Sequence, residues 1–272
     1  MKKKIIIFIF VFCLIIAGLI IPDEFYANLF NKEDENVNYV DSCLVYLLNS
    51  DDKLVGVNIP LEHEIEDEFV TTWNLLTVDV PSDYTSPIYF STQVISKEIN
   101  DGIMKLNITE DFNVETTRAT LECLVYNFCK SGVEKIELFI EGNVVNEVSG
   151  IHFDYLSKEL GVNLVYESTD ILNTIDLTVI YEYENYQLPV TYYVEDSTEV
   201  ITFLVDKSLN LIDEVGNIDY TNDITFEVVG TKLDINVANY ENFNKEVLNT
   251  LKSSLNCYYN FEEITINGLA IW

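Results

Sequence analysis

The sequence predicts an α+β protein made of two similar small domains, each a mixed sheet with two helices on one face. Three observations carry this expectation. First, a block beginning near Leu44 recurs in order from about Thr178. Val45 and Leu54 fall on Val179 and Leu188 at one constant offset, and Met104-Lys105-Leu106-Asn107-Ile108 falls on Leu233-Asp234-Ile235-Asn236-Val237. Leu121, Leu124 and Phe128 match Leu248, Leu251 and Leu255, and Ile136 matches Ile264. Two copies are too few for a solenoid, so the repeat reads as a tandem of globular modules. Second, each block mixes β-branched runs around polar turns with stretches of three- and four-residue apolar spacing. Third, strands and helices arrive in mixed order rather than strict alternation, which favours helices packed on one face of a small sheet.

The elements follow in order. Lys2 to Lys4 precede an unbroken apolar run from Ile5 to Ile21. At about 1.5 Å per residue that run reaches roughly 26 Å, enough to span a bilayer that thins slightly. No Ala-x-Ala follows it, so an uncleaved anchor is favoured over a cleaved signal, with secretion as the outcome if it is cleaved. The lysines ahead of the run place the rest of the chain outside the cytoplasm, as a single-pass protein of the cell membrane. Phe12 before Cys13 is the wrong context for a lipid-modified cysteine.

Residues 1–21 are thus the membrane segment and 22–42 a polar linker. The first module covers 43–148, a packed linker 149–176 and the second module 177–272. Module one opens with a hairpin, Leu44-Val45-Tyr46-Leu47-Leu48 and Leu54 to Ile59 around Asn49-Ser50-Asp51-Asp52. Ile65, Phe69, Trp73 and Leu76 then have helical spacing between Glu64 and Leu76. Val94 to Ile99 and Ile103 to Ile108 flank the turn Asn100-Asp101-Gly102. Leu121, Leu124, Val125 and Phe128 place one apolar stripe on a helix from about Thr116 to Lys130, Gly132 stops it, and Ile136 to Ile140 closes the unit. Module two repeats this with strands at Leu177 to Tyr183 and Gln187 to Val194 and a helix near Glu199 to Ile212. A hairpin from Ile224 to Val237, a helix from about Phe243 to Leu255 and a strand at Glu263 to Ile266 complete it.

Composition narrows the function. The net charge is −31, from 46 acidic and 15 basic residues, so nucleic-acid and anionic lipid surfaces would repel the chain. Hydrophobic residues make up 48%, which supports packed cores rather than disorder. Five cysteines show no disulfide framework; Cys123 and Cys129 lie about 240° apart on one helix. Buried free thiols are the favoured reading for Cys43, Cys123, Cys129 and Cys257. Neither a Gly-x-Ser-x-Gly elbow nor a phosphate- or dinucleotide-binding loop is present in the sequence. His63 and His152 are the only histidines, and neither lies in a His-Glu-x-x-His helix. Asn49 to Asp52 and Asn217 to Asp223 resemble calcium loops only loosely and read as turns. Tyr181, Tyr183, Tyr186, Tyr192 and Tyr193 suit either an exposed binding face or simple β-strand preference. No residue is assigned a catalytic, cofactor-binding or metal role, and no cofactor is expected.

The order of motifs resembles the GerM domain family, an extracytoplasmic module of spore-forming Gram-positive bacteria. The residues that carry it are Leu188-Pro189-Val190-Thr191, Gly102-Ile103-Met104-Lys105-Leu106-Asn107-Ile108 and Ala119-Thr120-Leu121-Glu122-Cys123-Leu124-Val125-Tyr126. Val133-Glu134-Lys135-Ile136-Glu137-Leu138-Phe139-Ile140-Glu141-Gly142 is similar to the family's closing strand. The resemblance covers nearly everything from Leu44 onward as two copies. It implies folds similar to the ring-building motifs of secretion systems and a non-enzymatic role supporting an envelope complex in sporulation or germination. The apparent anchor departs from that pattern. Expected partners are envelope or sporulation-complex proteins and the membrane through residues 5–21, with no nucleic acid and with self-assembly left open. The competing reading is a peptidoglycan- or carbohydrate-binding envelope protein or wall enzyme, which requires a concave site with convergent carboxylates and aromatics.

Overall fold

The computed structural model describes residues 42–270 apart from 62–64, 66, 114–115, 169–171, 210–223 and 238–244. The membrane segment, nearly all of the polar linker, Cys13, His63 and the loop Asn217 to Asp223 lie outside the described residues. The first pass of the chain gives β1 (Ser42–Leu48), β2 (Leu54–Pro60), α1 (Glu68–Thr77), β3 (Val94–Asn100) and β4 (Ile103–Ile108). It continues with α2 (Arg118–Phe128), β5 (Lys135–Ile140) and β6 (Asn143–Val144). The second pass repeats this order as β10 (Thr174–Glu182), β11 (Tyr186–Glu195), α3 (Val200–Leu209), β12 (Ile224–Val229), β13 (Lys232–Val237), α4 (Lys245–Leu255), β14 (Glu263–Ile266) and β15 (Leu269–Ala270). Between the passes lie β7 (Glu147–Val148), β8 (Ile151–His152) and β9 (Val165–Tyr166). The segment between the passes therefore carries a small hairpin, β7 and β8, that straddles the end of the first module, and the strand β9.

Each pass has its own four-stranded mixed sheet, in the orders β3-β4-β5-β6 and β12-β13-β14-β15. The central pair is parallel and the outer pairs are antiparallel in both. The repeat read from the sequence is visible residue by residue. Met104 pairs with Ile136 across β4 and β5, and Leu233 pairs with Ile264 across β13 and β14. Both pairs point into a core, as alternate residues of a half-buried strand must.

The opening hairpins of the two repeats come together in one sheet, in the order β1-β2-β11-β10, with β9 added in parallel to β11. This joining was not foreseen, because long-range strand pairing leaves no local pattern. In the first repeat α2 carries more than a stripe. Every residue from Thr120 to Phe128 is buried, including Glu122 and Asn127, because the helix packs against β1, β5 and the linker. In the second repeat α4 keeps an exposed face and buries Val247, Thr250, Leu251, Ser254 and Leu255 against β10 and α3. Leu204, Leu233, Ile235, Leu251, Leu255, Ile264 and Ile266 form the centre of that core.

Cys43, Cys123 and Cys129 are buried free thiols, and burial pushes Cys123 up to about 12 and Cys129 up to about 11. Cys257 is free but exposed, which corrects the expectation of burial. Leu255 is the last residue of α4 and its last apolar anchor, so Cys257 falls in the turn beyond it.

Candidate interaction surfaces

A sheet whose end strands lie open is a ready template for another chain. Here the end strands of the shared sheet are closed by side chains. Along β1, Lys130 Nζ donates to Leu44 C=O at 3.4 Å, and Tyr46 N–H donates to Asn127 Oδ1 at 2.9 Å. Asn127 Nδ2 returns a bond to Tyr46 C=O at 3.0 Å, while Leu48 exchanges two backbone bonds with Thr85. Along β10, Thr178 N–H donates to the Tyr258 hydroxyl, Ile180 N–H to Ser254 Oγ at 2.9 Å and Glu182 N–H to Thr250 Oγ1 at 2.8 Å. On both strands every second residue is thus satisfied, by the later helix of the same repeat, by the residues just beyond it and, at Leu48, by the Thr85 backbone.

The outer sheets end differently. β3 and β12 are terminal strands with Ile95, Ile99, Val228 and Val229 exposed. Beside β3 runs a groove floored by Phe69, Met104 and Phe128, with a cleft of about 180 Å³. Phe69 lies 4.7 Å from Phe128 between ring centroids, and Trp73 lies 5.9 Å from it. Lys97 sits 4.4 Å over the Phe69 ring and 3.4 Å from Asp67, and Lys130 is 3.0 Å from Glu68. α1 packs chiefly on β1 and reaches α2 through Phe69 and Trp73 on Phe128, whereas its counterpart α3 packs on α4, β10 and β12. Asp67 caps α1 by accepting from Phe69 N–H at 2.9 Å and Val70 N–H at 3.3 Å.

A second concavity of about 570 Å³ lies at the junction of the repeats, lined by Tyr126, Lys158, Asp176, Cys257 and Tyr258 among others. Among the described residues, burial raises the carboxyl pKa of Glu122 and Glu182, and each is tied into a bonding network. Glu122 takes Arg118 Nε at 2.8 Å and Asn163 N–H at 3.3 Å. Glu182 takes Ser253 Oγ at 2.6 Å and Gln187 Nε2 at 3.0 Å, and Gln187 Oε1 accepts from the Tyr46 hydroxyl at 3.1 Å. That chain of bonds links β10, β11 and β1 of the shared sheet.

The sequence candidates are placed as follows. Asn49 Oδ1 accepts from Asp51 and Lys53 N–H groups, a turn bond of the kind expected there. His152 is exposed, 3.4 Å from Glu147. Tyr181 and Tyr192 share a 2.7 Å bond and pack on the second core, while Tyr193 stacks on exposed Tyr166 and Tyr183 on Tyr186. Among the described residues no group of three or more His, Cys, Asp or Glu is placed to hold a metal ion. No helix among them is long and apolar enough to cross a membrane. Gly161 and Asn163, overlooked in the sequence, prove central to the junction of the repeats. The signals were a Gly two residues before an Asn and a proline, Pro189, inside a strand pattern.

No protein-family model and no curated protein sequence matches the chain. Among solved structures, the tandem GerMN domains of the sporulation protein GerM from Bacillus subtilis match with a TM-score of 0.69 at 19% identity, over 84% of this chain and 92% of that one. The first GerMN domain of the same protein matches 44% of this chain and 98% of its own length, with a TM-score of 0.38 at 16% identity. The first match spans both repeats in one superposition, and α+β repeats with mixed sheets are what the sequence resemblance implied. The described chain has the fold of tandem GerMN domains.

Proposed function

We propose that this protein is a non-enzymatic, membrane-anchored extracytoplasmic protein whose tandem GerM-like modules bind other proteins and support an envelope complex in sporulation or germination. The observation that carries the reading is the match to tandem GerMN domains of a sporulation protein across both repeats together. The apolar run Ile5 to Ile21 behind three lysines supplies the anchor. The groove beside β3, with its aromatic floor and paired charges at the rim, suits an apolar segment of a protein partner.

The test is crosslinking from membranes of the native cell through growth and any sporulation, with the full chain as bait. Recovery of envelope or sporulation proteins by the wild type, and their loss with Ile99→Asp at the groove wall, is the expected result. Recovery of wall glycan fragments alone would replace this reading with the carbohydrate-binding one.

A further inference from the structure

The two repeats could in principle be joined by their shared sheet alone, yet β2 and β11 pair at only two positions, Val57 with Tyr186 and Gly56 with Gln187. The next group on that side of β11 belongs to Pro189, which has no N–H to offer, so the ladder stops there. The linker fills the gap. Asn163 Oδ1 accepts from Leu54 N–H at 2.9 Å, and its Nδ2 donates to Leu54 C=O at 2.8 Å and to Pro189 C=O at 2.7 Å. One side chain therefore completes the hydrogen bonding of both facing strands.

The residues on either side hold Asn163 in place. Val162 is fully buried; its N–H donates to Thr191 Oγ1 at 2.9 Å and its C=O accepts from Thr191 N–H at 2.8 Å. Arg118 Nη2 donates to Leu160 C=O, and Glu122 accepts from Asn163 N–H, which fastens the same segment to α2 of the first repeat. Further on, Val165 and Tyr166 pair with Tyr192 and Tyr193. Gly161 has φ 71° and ψ 177°, a conformation essentially confined to glycine. A Cβ there would meet Leu164 Cδ2 at 2.8 Å. Asn163, at φ 46°, uses the left-handed region that asparagine tolerates best among residues with a side chain.

We infer that the segment from Leu160 to Tyr166 is a latch, with Asn163 as its key, that makes the two repeats one rigid body and so fixes how both modules face a common partner. Without the key, the strands of the two repeats meet through two backbone rungs and the Tyr46–Gln187 side-chain bond.

Hydrogen exchange on the full-length chain tests this. Asn163→Gly removes the side chain and tolerates the backbone angle. The expected result is exchange at least about tenfold faster, the factor that corresponds to about 1.4 kcal/mol, in segments that Asn163 does not touch directly, Gly56–Val57 and Thr191. The amides of Tyr46 and Ile180, held by Asn127 and Ser254, stay within about twofold. Thr191→Val, which removes the other polar clasp, gives the same pattern. Unchanged exchange at Gly56–Val57 overturns the latch, because the sheet alone then joins the repeats. Uniform loss of protection also overturns it, because the repeats then do not fold apart from the segment.

Discussion

Replacing Asn127 by alanine probes how the open side of β1 is closed. The side chain is fully buried and bonds both outward peptide groups of Tyr46, whose C=O also accepts from Cys123 Sγ at 3.5 Å. Alanine strands the Tyr46 N–H in the core between α2 and β1 and leaves its C=O only the weak thiol donor. Each orphaned or under-bonded group costs roughly 1–3 kcal/mol, so a loss of about 3–5 kcal/mol is expected after the small volume change is included. Domain stabilities are about 5–15 kcal/mol, so this is a large share of the total. Urea unfolding followed by the fluorescence of Trp73, buried on α1 beside β1, reads it directly. A loss below about 1 kcal/mol, within the ordinary range of tolerated changes, would refute the claim that Asn127 closes this edge. Ser254→Ala strands only Ile180 N–H and should cost about half as much or less.

Three further outcomes follow from the packing. Leu251→Ala, in the fully buried stripe of α4, should cost about 2–5 kcal/mol in thermal or urea unfolding of the full chain. Gly56→Ala should cost about 1–3 kcal/mol by overpacking, since the new Cβ would lie 2.8 Å from Tyr46 Cε1; a neutral result would mean the Tyr46 ring is free to move. Asp67→Ala should weaken α1 by about 1 kcal/mol as a lost cap. The Asp67 carboxyl is held below its ordinary value chiefly by Val70 N–H, then by Lys97 and Phe69 N–H. Its contribution is therefore present above the unfolded value of 3.8 and lost as pH falls through the folded one, so wild type and variant should converge in acid melts.

What the sequence made legible was local. The hairpin Ile224 to Val237 and the strand Glu263 to Ile266 fall where turn chemistry and alternation placed them, because both signals span a few residues. The repeat was legible because Met104, Ile136, Leu233 and Ile264 are core positions with a common strand register. The joining of β2 to β11 was not, since it rests on residues more than a hundred positions apart and on a side chain from a third segment. The full burial of α2 was hidden for a related reason: Glu122 and Asn127 read as a polar face, yet each is satisfied by a distant partner. The groove beside β3 depends on where α1 lands, which apolar spacing alone does not fix.

The most direct measurement of the central claim, that the repeats form one body through the shared sheet and the latch, is scanning calorimetry of the full chain. One transition with a calorimetric to van't Hoff enthalpy ratio near one is expected. Two resolved transitions, or a ratio near two, would show modules that unfold independently and would contradict it.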